Sequence, residues 1–265
     1  MIHLEHLRKV FNKGTADEKC AIDDLTLHIA EGDFLTVIGS NGAGKTTLLN
    51  LISGTYLPDE GRIVIDGEDV TRIPDFKRAK YIGRVFQDPL VGTAASMSIE
   101  ENLAMAEKRG QKRGLRWGVT KAKRERYREA LRVLELGLED RLKDPVGLLS
   151  GGQRQTLTLL MVTLSIPKVL LLDEHTAALD PKTAHKVLQL SKEMIENHRL
   201  TTIMVTHNMQ QAIAYGNRMI MLHEGRIRFD VAGEKKRNLS VETLIKSFGS
   251  VLKDETLFTA AESVE

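Results

Sequence analysis

Gly39-Ser40-Asn41-Gly42-Ala43-Gly44-Lys45-Thr46 follows an apolar run, Phe34 to Ile38, and precedes a helical pattern from Thr47 to Ser53. The octapeptide has the spacing G-x-x-x-x-G-K-[ST] of a phosphate-binding loop, which composition alone produces in roughly one chain in a hundred. Glycines let backbone N–H groups turn inward as a concave anion site. The helix that begins near Lys45 aims its first amides and the positive end of its dipole at the same point. Lys45 adds a full charge toward the β- and γ-phosphates, and the Thr46 hydroxyl can bind Mg²⁺. Thr47, at the start of the helical pattern, is a further candidate for binding the nucleotide.

Outward from this loop, short apolar runs alternate with helical patterns. Strands are expected at Arg62 to Ile65, Tyr81 to Phe86, Val169 to Leu172, Thr202 to Val205 and Met219 to Leu222. Phe34 to Ile38, Val169 to Leu172 and Thr202 to Val205 are apolar nearly throughout, as parallel strands covered on both faces should be. Asp180-Pro181 places a cap before a proline at the first helical position, and apolar spacing then continues to Ile195. Ser98 and Glu101 form a capping box before a helix reaching about Arg109. The alternation predicts an α/β fold with a parallel central sheet. Residues 88–167 carry no convincing strand and are expected to form a helical insertion. A single domain, 1–265, follows: a core of 1–87 and 168–232, a helical subdomain of 88–167, and a tail of 233–265 with a short helix near Val241 to Phe248.

Two acids end one of the buried strands. Ligands of open α/β sheets sit beyond the carboxyl ends of the strands, so Asp173 is placed to hold Mg²⁺ and Glu174 to polarise a water that attacks a γ-phosphate. Leu149-Ser150-Gly151-Gly152-Gln153 supplies a second anion site. Ser150 and Gln153 have capping-box spacing ahead of the helical run Arg154 to Leu164. Two glycines in a first helical turn are poor choices for stability, but they open the amides to a phosphate.

With these motifs in this order, the sequence resembles the nucleotide-binding subunit of an ABC transporter over essentially residues 2–232. The resemblance implies a P-loop NTPase (RecA-like) parallel core, an N-terminal antiparallel β-subdomain and an inserted α-helical signature subdomain. It makes Gly39 to Thr46 the Walker A loop, Leu170 to Asp173 the Walker B strand and Glu174 the catalytic carboxylate. Gln87 becomes the Q-loop glutamine that touches Mg²⁺, Leu149 to Gln153 the signature motif, Asp180 part of the D-loop and His207 the switch histidine on the γ-phosphate. Phe11 stands where the family places an aromatic residue that stacks on adenine. ATP and Mg²⁺ are the implied ligands, and two copies are expected to pair head to tail so that Ser150 to Gly152 of one complete the site of the other.

The same resemblance implies ATP hydrolysis coupled to transport at the cytoplasmic face of the membrane. The partners would be separate permease subunits and an extracellular solute-binding protein, with no nucleic acid. A lone nucleotide-binding domain without a fused span favours an importer. The alternatives are an ATPase driving export or lipid or lipoprotein extraction, and a soluble relative acting on DNA or ribosomes. Residues 88–96, Asp88-Pro89-Leu90-Val91-Gly92-Thr93-Ala94-Ala95-Ser96, resemble a bacterial importer subgroup, some of whose members take up aromatic amino acids. His175 departs from the family, which usually has proline there; it is expected beside the catalytic acids or facing solvent.

Composition sets the outer bounds. The 265 residues are 42% hydrophobic and 28% charged, enough for a core of ordinary size and against wholesale disorder. The longest weakly polar stretch, Leu157 to Ile166, is ten residues long, whereas a membrane span needs about 18. Met1 to Val10 is too charged for a signal peptide. Cys20 is the only cysteine; it fits a reducing cytosol and is expected to be small, apolar and buried. The net charge of +2 hides an uneven distribution, because Lys108 to Arg128 holds ten basic residues and one acid, Glu125. This stretch, with Trp117 inside it, is either a solvated helical face or a patch facing anionic headgroups.

Overall fold

The structure is a computed structural model and describes residues 1–111, 114 and 118–248. The chain divides into two compact units, one of Met1–Arg78 with the residues from Thr201 onward, the other of Ala79–Leu200. The first begins with β1 (Ile2–Phe11), β2 (Lys19–Ile29), β3 (Phe34–Gly39), α1 (Lys45–Ser53), β4 (Glu60–Ile65), β5 (Glu68–Asp69) and a short α2 (Asp75–Arg78). The second holds β6 (Ile82–Val85), α3 (Ile99–Glu107), α4 (Lys121–Arg132), α5 (Gly151–Thr163), β7 (Val169–Asp173) and α6 (Pro181–His198). The chain then returns to the first unit through β8 (Thr201–Val205), α7 (Met209–Ala214), β9 (Arg218–His223), β10 (Arg226–Ala232), α8 (Gly233–Arg237) and α9 (Val241–Phe248).

In the first unit an antiparallel sheet runs in the order β2-β1-β4-β5. β1 and β2 each bury one face, Ile2, Leu4 and Leu7 on one and Ile22, Leu25, Leu27 and Ile29 on the other, the alternation of a one-faced antiparallel ribbon. A second set of strands runs β10-β9-β3-β8. β3 lies between β8 and β9 and is parallel to both. Every residue of β3 and of β8 is buried, as their apolar composition requires. α9 docks by Leu244, 1% exposed, onto a cluster that includes Ile38, Met209, Met221 and Val231.

Arg78 fastens α1 from behind. It is fully buried, and donates to the carbonyls of Leu51, Ile52, Ile73 and Thr71. Burial pulls its guanidinium down to about 10, and its charge sits against the negative end of the helix dipole. Cys20 corrects the expectation of a buried thiol: it is exposed near the start of β2, and its Sγ donates to the Ile22 carbonyl at 3.3 Å. That end of the strand lies beyond the buried face, so both Lys19 and Cys20 point to solvent.

In the second unit β6 and β7 are parallel, with Val85 opposite Leu172. Between them, the described residues of 88–167 form α3, α4, α5 and two 3₁₀ turns, Leu138–Asp140 and Val146–Leu148, and their one β contact is an isolated bridge of Ser98 with Pro145. The capping box at Ser98 and Glu101 is present in full. α4, which the sequence pattern does not single out, is capped by Thr120. Several basic side chains of the stretch 108–128 are paired within this unit. Arg124 pairs with Glu100, Lys123 and Arg126 both reach Glu107, and Arg109 donates to Val162 O and Ser165 Oγ. Trp117, with residues 112, 113, 115 and 116, lies outside the described residues, as does the chain end from 249. Among the described residues no helix is long and apolar enough to cross a membrane.

Candidate functional site

The loop 39–46 leaves β3 at its carboxyl end and is built for close approach to its own backbone. Gly44 has φ 104°, a left-handed conformation open to glycine. A Cβ there would fall 2.4 Å from the Ala21 carbonyl oxygen, and one on Gly39 would fall 2.3 Å from that of Leu222. α1 then starts with no side-chain cap and no acid in its first turn. No capping side chain thus occupies the helix start, the arrangement of a helix end that receives an anion. Lys45 is 7% exposed, and its Nζ donates to the carbonyls of Gly39 at 2.7 Å and Ser40 at 2.9 Å. The ammonium is thus held over the loop rather than extended into solvent. Ser40 and Ala43 are buried, while Asn41, Gly42 and Thr46 are exposed and Thr47 is half-buried. An uncapped helix start, a cation over the loop and an exposed hydroxyl fit a nucleotide's phosphates with a divalent cation.

Two more residues belong to the same unit. β8 runs parallel to β3, with Val37 opposite Val205, so His207 emerges at the sheet edge from which the loop springs. His207 is exposed, and Thr206 before it accepts from the Asn208 amide and donates to Gln211. Phe11 closes β1 opposite Lys19. Its ring meets Tyr56 edge to face at 5.2 Å. Lys19 in turn brings its Nζ to 3.0 Å from where a Gly42 Cβ would stand. The pairing carries Phe11 to the strand end beside the loop, and Lys19 is a neighbour that the motif pattern does not mark.

The second unit holds the remaining candidates. Because β6 and β7 are parallel, Gln87, two residues past Val85, and Glu174, two past Leu172, leave the same sheet edge. Gln87 is exposed; the Phe86 carbonyl before it accepts from Gln155 of α5 at 2.8 Å. Asp173 is 6% exposed, and its Oδ2 accepts from Arg84 Nη2 at 2.6 Å. Glu174 has φ 44°, a left-handed conformation that costs a non-glycine residue of order 1 kcal/mol. It turns the chain out of β7 into a tight turn closed by the Ala177 amide on the Glu174 carbonyl.

Asp180 caps α6, accepting from the Thr183 amide at 3.1 Å; hydrogen bonds from Thr183 hold its carboxyl below the usual carboxylate range. Ser150 and Gln153 form the full capping box of α5. The two glycines there differ. A Cβ on Gly151 would find Leu179 at an ordinary 3.7 Å, whereas one on Gly152 would stand 2.2 Å from Thr183 Cγ2. Gly152 is therefore required by helix packing, and Gly151 is the one whose small size no neighbour demands.

His175 does not face solvent. It is 2% exposed, with Nε2 3.1 Å from Ser191 Oγ on α6. Ser191 gives its own proton to the Val187 carbonyl, so His175 Nε2 is assigned as the donor. Burial pulls the imidazole down to about 4, keeping it neutral. Arg84 is the residue near the acids that motif matching passes over. A cation inside an apolar strand is a readable signal, because a buried charge needs a partner on a neighbouring element.

Comparisons with known proteins identify the family. A family model described as ABC transporter matches residues 22–177. A tyrosine transport ATP-binding protein of Clostridioides difficile is 42% identical over 94% of this chain and 98% of its own length. An energy-coupling factor transporter ATP-binding protein of Clostridium tetani is 33% identical over 94% of this chain and 84% of its own. Among solved structures, the dimeric post-hydrolysis state of the ATP-binding cassette MJ0796 with ADP and Pi superimposes with a TM-score of 0.74 at 31% identity, covering 88% of this chain and 98% of that one.

Proposed function

Because the chain belongs to the ATP-binding, ATP-hydrolysing subunits of ABC transporters, we propose that it powers import of an amino acid, tyrosine or a close aromatic relative, through a separate permease. Its place is the cytoplasmic face of the membrane, held there by that permease, with a solute-binding protein presenting the cargo outside. Support for the cargo comes from the relative named for tyrosine transport, which matches nearly its whole length.

The observation that carries the nucleotide site is the start of α1: uncapped amides, with Lys45 folded over the loop that precedes them. The amides of residues 42–47 and Lys45 hold the β- and γ-phosphates, and Phe11 stacks on the base. Thr46, Gln87 and Asp173 would hold Mg²⁺, which neutralises phosphate charge when bound. Glu174 accepts a proton from the attacking water, and His207 donates to the γ-phosphate. Such chemistry needs positioning and charge stabilisation more than covalent steps. Ser150, Gly151, Gly152 and Gln153 of a second copy close the site from the other side, and Asp180 contributes to the contact between copies.

Reconstitution tests this reading. The chain, its permease and a solute-binding protein in proteoliposomes should accumulate labelled tyrosine when ATP is supplied on the side of this subunit. Equal accumulation without ATP, or ATP-dependent loss of preloaded tyrosine, would contradict import.

A further inference from the structure

β6 is a strand with one cation inside it. The Arg84 side chain is 11% exposed, and it meets a carboxylate, Asp173, whose side chain is 9% exposed. Its guanidinium carbon also lies 4.7 Å from the centre of the ring of Phe86, just past the end of the strand. On another side Arg84 borders a cavity of about 280 Å³ in the same unit, with Asn102, Met105, Thr158 and Met161 in its wall. Three surroundings therefore border one flexible side chain: an anion, an aromatic face that attracts guanidinium groups, and a hollow with room for movement whose wall also carries Arg109.

A buried carboxylate is costly without a counter-charge. Asp173 needs one whether or not a metal is present. We propose that Arg84 is a place-holding counter-ion for Asp173, pairing with it when no divalent cation is bound and withdrawing toward Phe86 and the cavity when Mg²⁺ takes over. The idea rests on Asp173 being the metal carboxylate. A divalent ion held by Asp173 would be repelled by a guanidinium hydrogen-bonded to the same carboxylate. Removing the charge therefore strengthens metal binding rather than weakening it. Arg84 acts as a positioning residue: it keeps Asp173 from holding a metal ion alone, so that metal is retained only with the phosphates that accompany it.

The experiment uses the full chain as wild type, Arg84→Met, Arg84→Lys and Asp173→Asn. Without nucleotide, Arg84→Met should melt several degrees below wild type in EDTA and regain most of the loss in millimolar Mg²⁺, while wild type shifts little. With a non-hydrolysable ATP analogue, its half-saturating Mn²⁺ should fall about tenfold, since a charge at this range moves proton affinities by that much or more. Arg84→Lys, which keeps the charge, should stay near the wild-type midpoint. If methionine is not tolerated, Arg84→Gln, neutral but able to hydrogen-bond to the carboxylate, provides the same comparison. A neutral variant equally destabilised in EDTA and in Mg²⁺, with an unchanged Mn²⁺ midpoint, reduces Arg84 to a structural residue and overturns the proposal. Asp173→Asn separates this from the site assignment: it should weaken Mn²⁺ binding, and binding equal to wild type would remove Asp173 as metal ligand and Arg84's role with it.

Discussion

Gly152 and Thr183 bring α5 and α6 together so closely that a Cβ on Gly152 would lie 2.2 Å from Thr183 Cγ2. Thr183 also gives its amide to the Asp180 cap, so one residue ties the start of α6 to the start of α5. The second glycine of Ser150-Gly151-Gly152-Gln153 is set by packing, and the first is left to face whatever approaches the helix start.

Gly152→Ala should therefore destabilise the chain by about 1–3 kcal/mol through overpacking, read from urea melts. Thr183→Ser, which removes the offending methyl, should recover most of that loss in the double variant. Gly151→Ala should not destabilise, because alanine is the better helix former, yet it should lower ATP hydrolysis. A stable, fully active Gly151→Ala would remove the phosphate-facing role of that glycine.

His175 makes stability depend on pH. Its folded value of about 4 lies below the ordinary histidine value of 6.5, so between these values the unfolded chain binds more protons than the folded one. Stability then falls as pH falls through that window. From pH 7 to pH 5 the His175 contribution is a loss of about 2 kcal/mol. Melts of wild type and His175→Gln at the two pH values measure it; an equal pH dependence in both would contradict the assignment.

The strands that hold the loop and the acids are legible in the sequence, because Phe34–Gly39, Val169–Asp173 and Thr201–Val205 are buried at every position and so are apolar at most of them. β1 and β2 are not placed by the same reasoning, since β1 exposes His3, Glu5, His6 and Arg8, β2 exposes Lys19, Asp24, Thr26 and His28, and their pairing carries register shifts that break the alternation. β10 fails for the same reason. The burial of His175 is not legible locally, because nothing near it in sequence announces Ser191, sixteen residues on. The phosphate loop is readable because its chemistry is local to eight residues. The Arg84–Asp173 pair spans 89 positions, a contact that strand order alone creates.

Asp180 serves as a helix cap, and Asp180→Ala should cost about 1 kcal/mol for that reason alone. Asp180→Asn keeps the cap and removes the charge. It should melt like wild type and still lower ATP-dependent dimer formation, scored by light scattering, if Asp180 also contacts the second copy.

Lys45→Ala should weaken ATP binding by tenfold or more, as the loss of a charge-assisted hydrogen bond of about 1.5–3 kcal/mol implies. Calorimetric titration with ATP reads it directly, and unchanged affinity would move the phosphates away from this loop.

The most direct test of the ATPase chemistry assigned to this chain is turnover by Glu174→Gln. The variant should bind ATP as wild type does and form a stable ATP-dependent dimer, while phosphate release falls roughly 10²- to 10⁴-fold, the share a positioned general base contributes. Phosphate release at the wild-type rate would contradict the assignment of Glu174 as the residue that activates water.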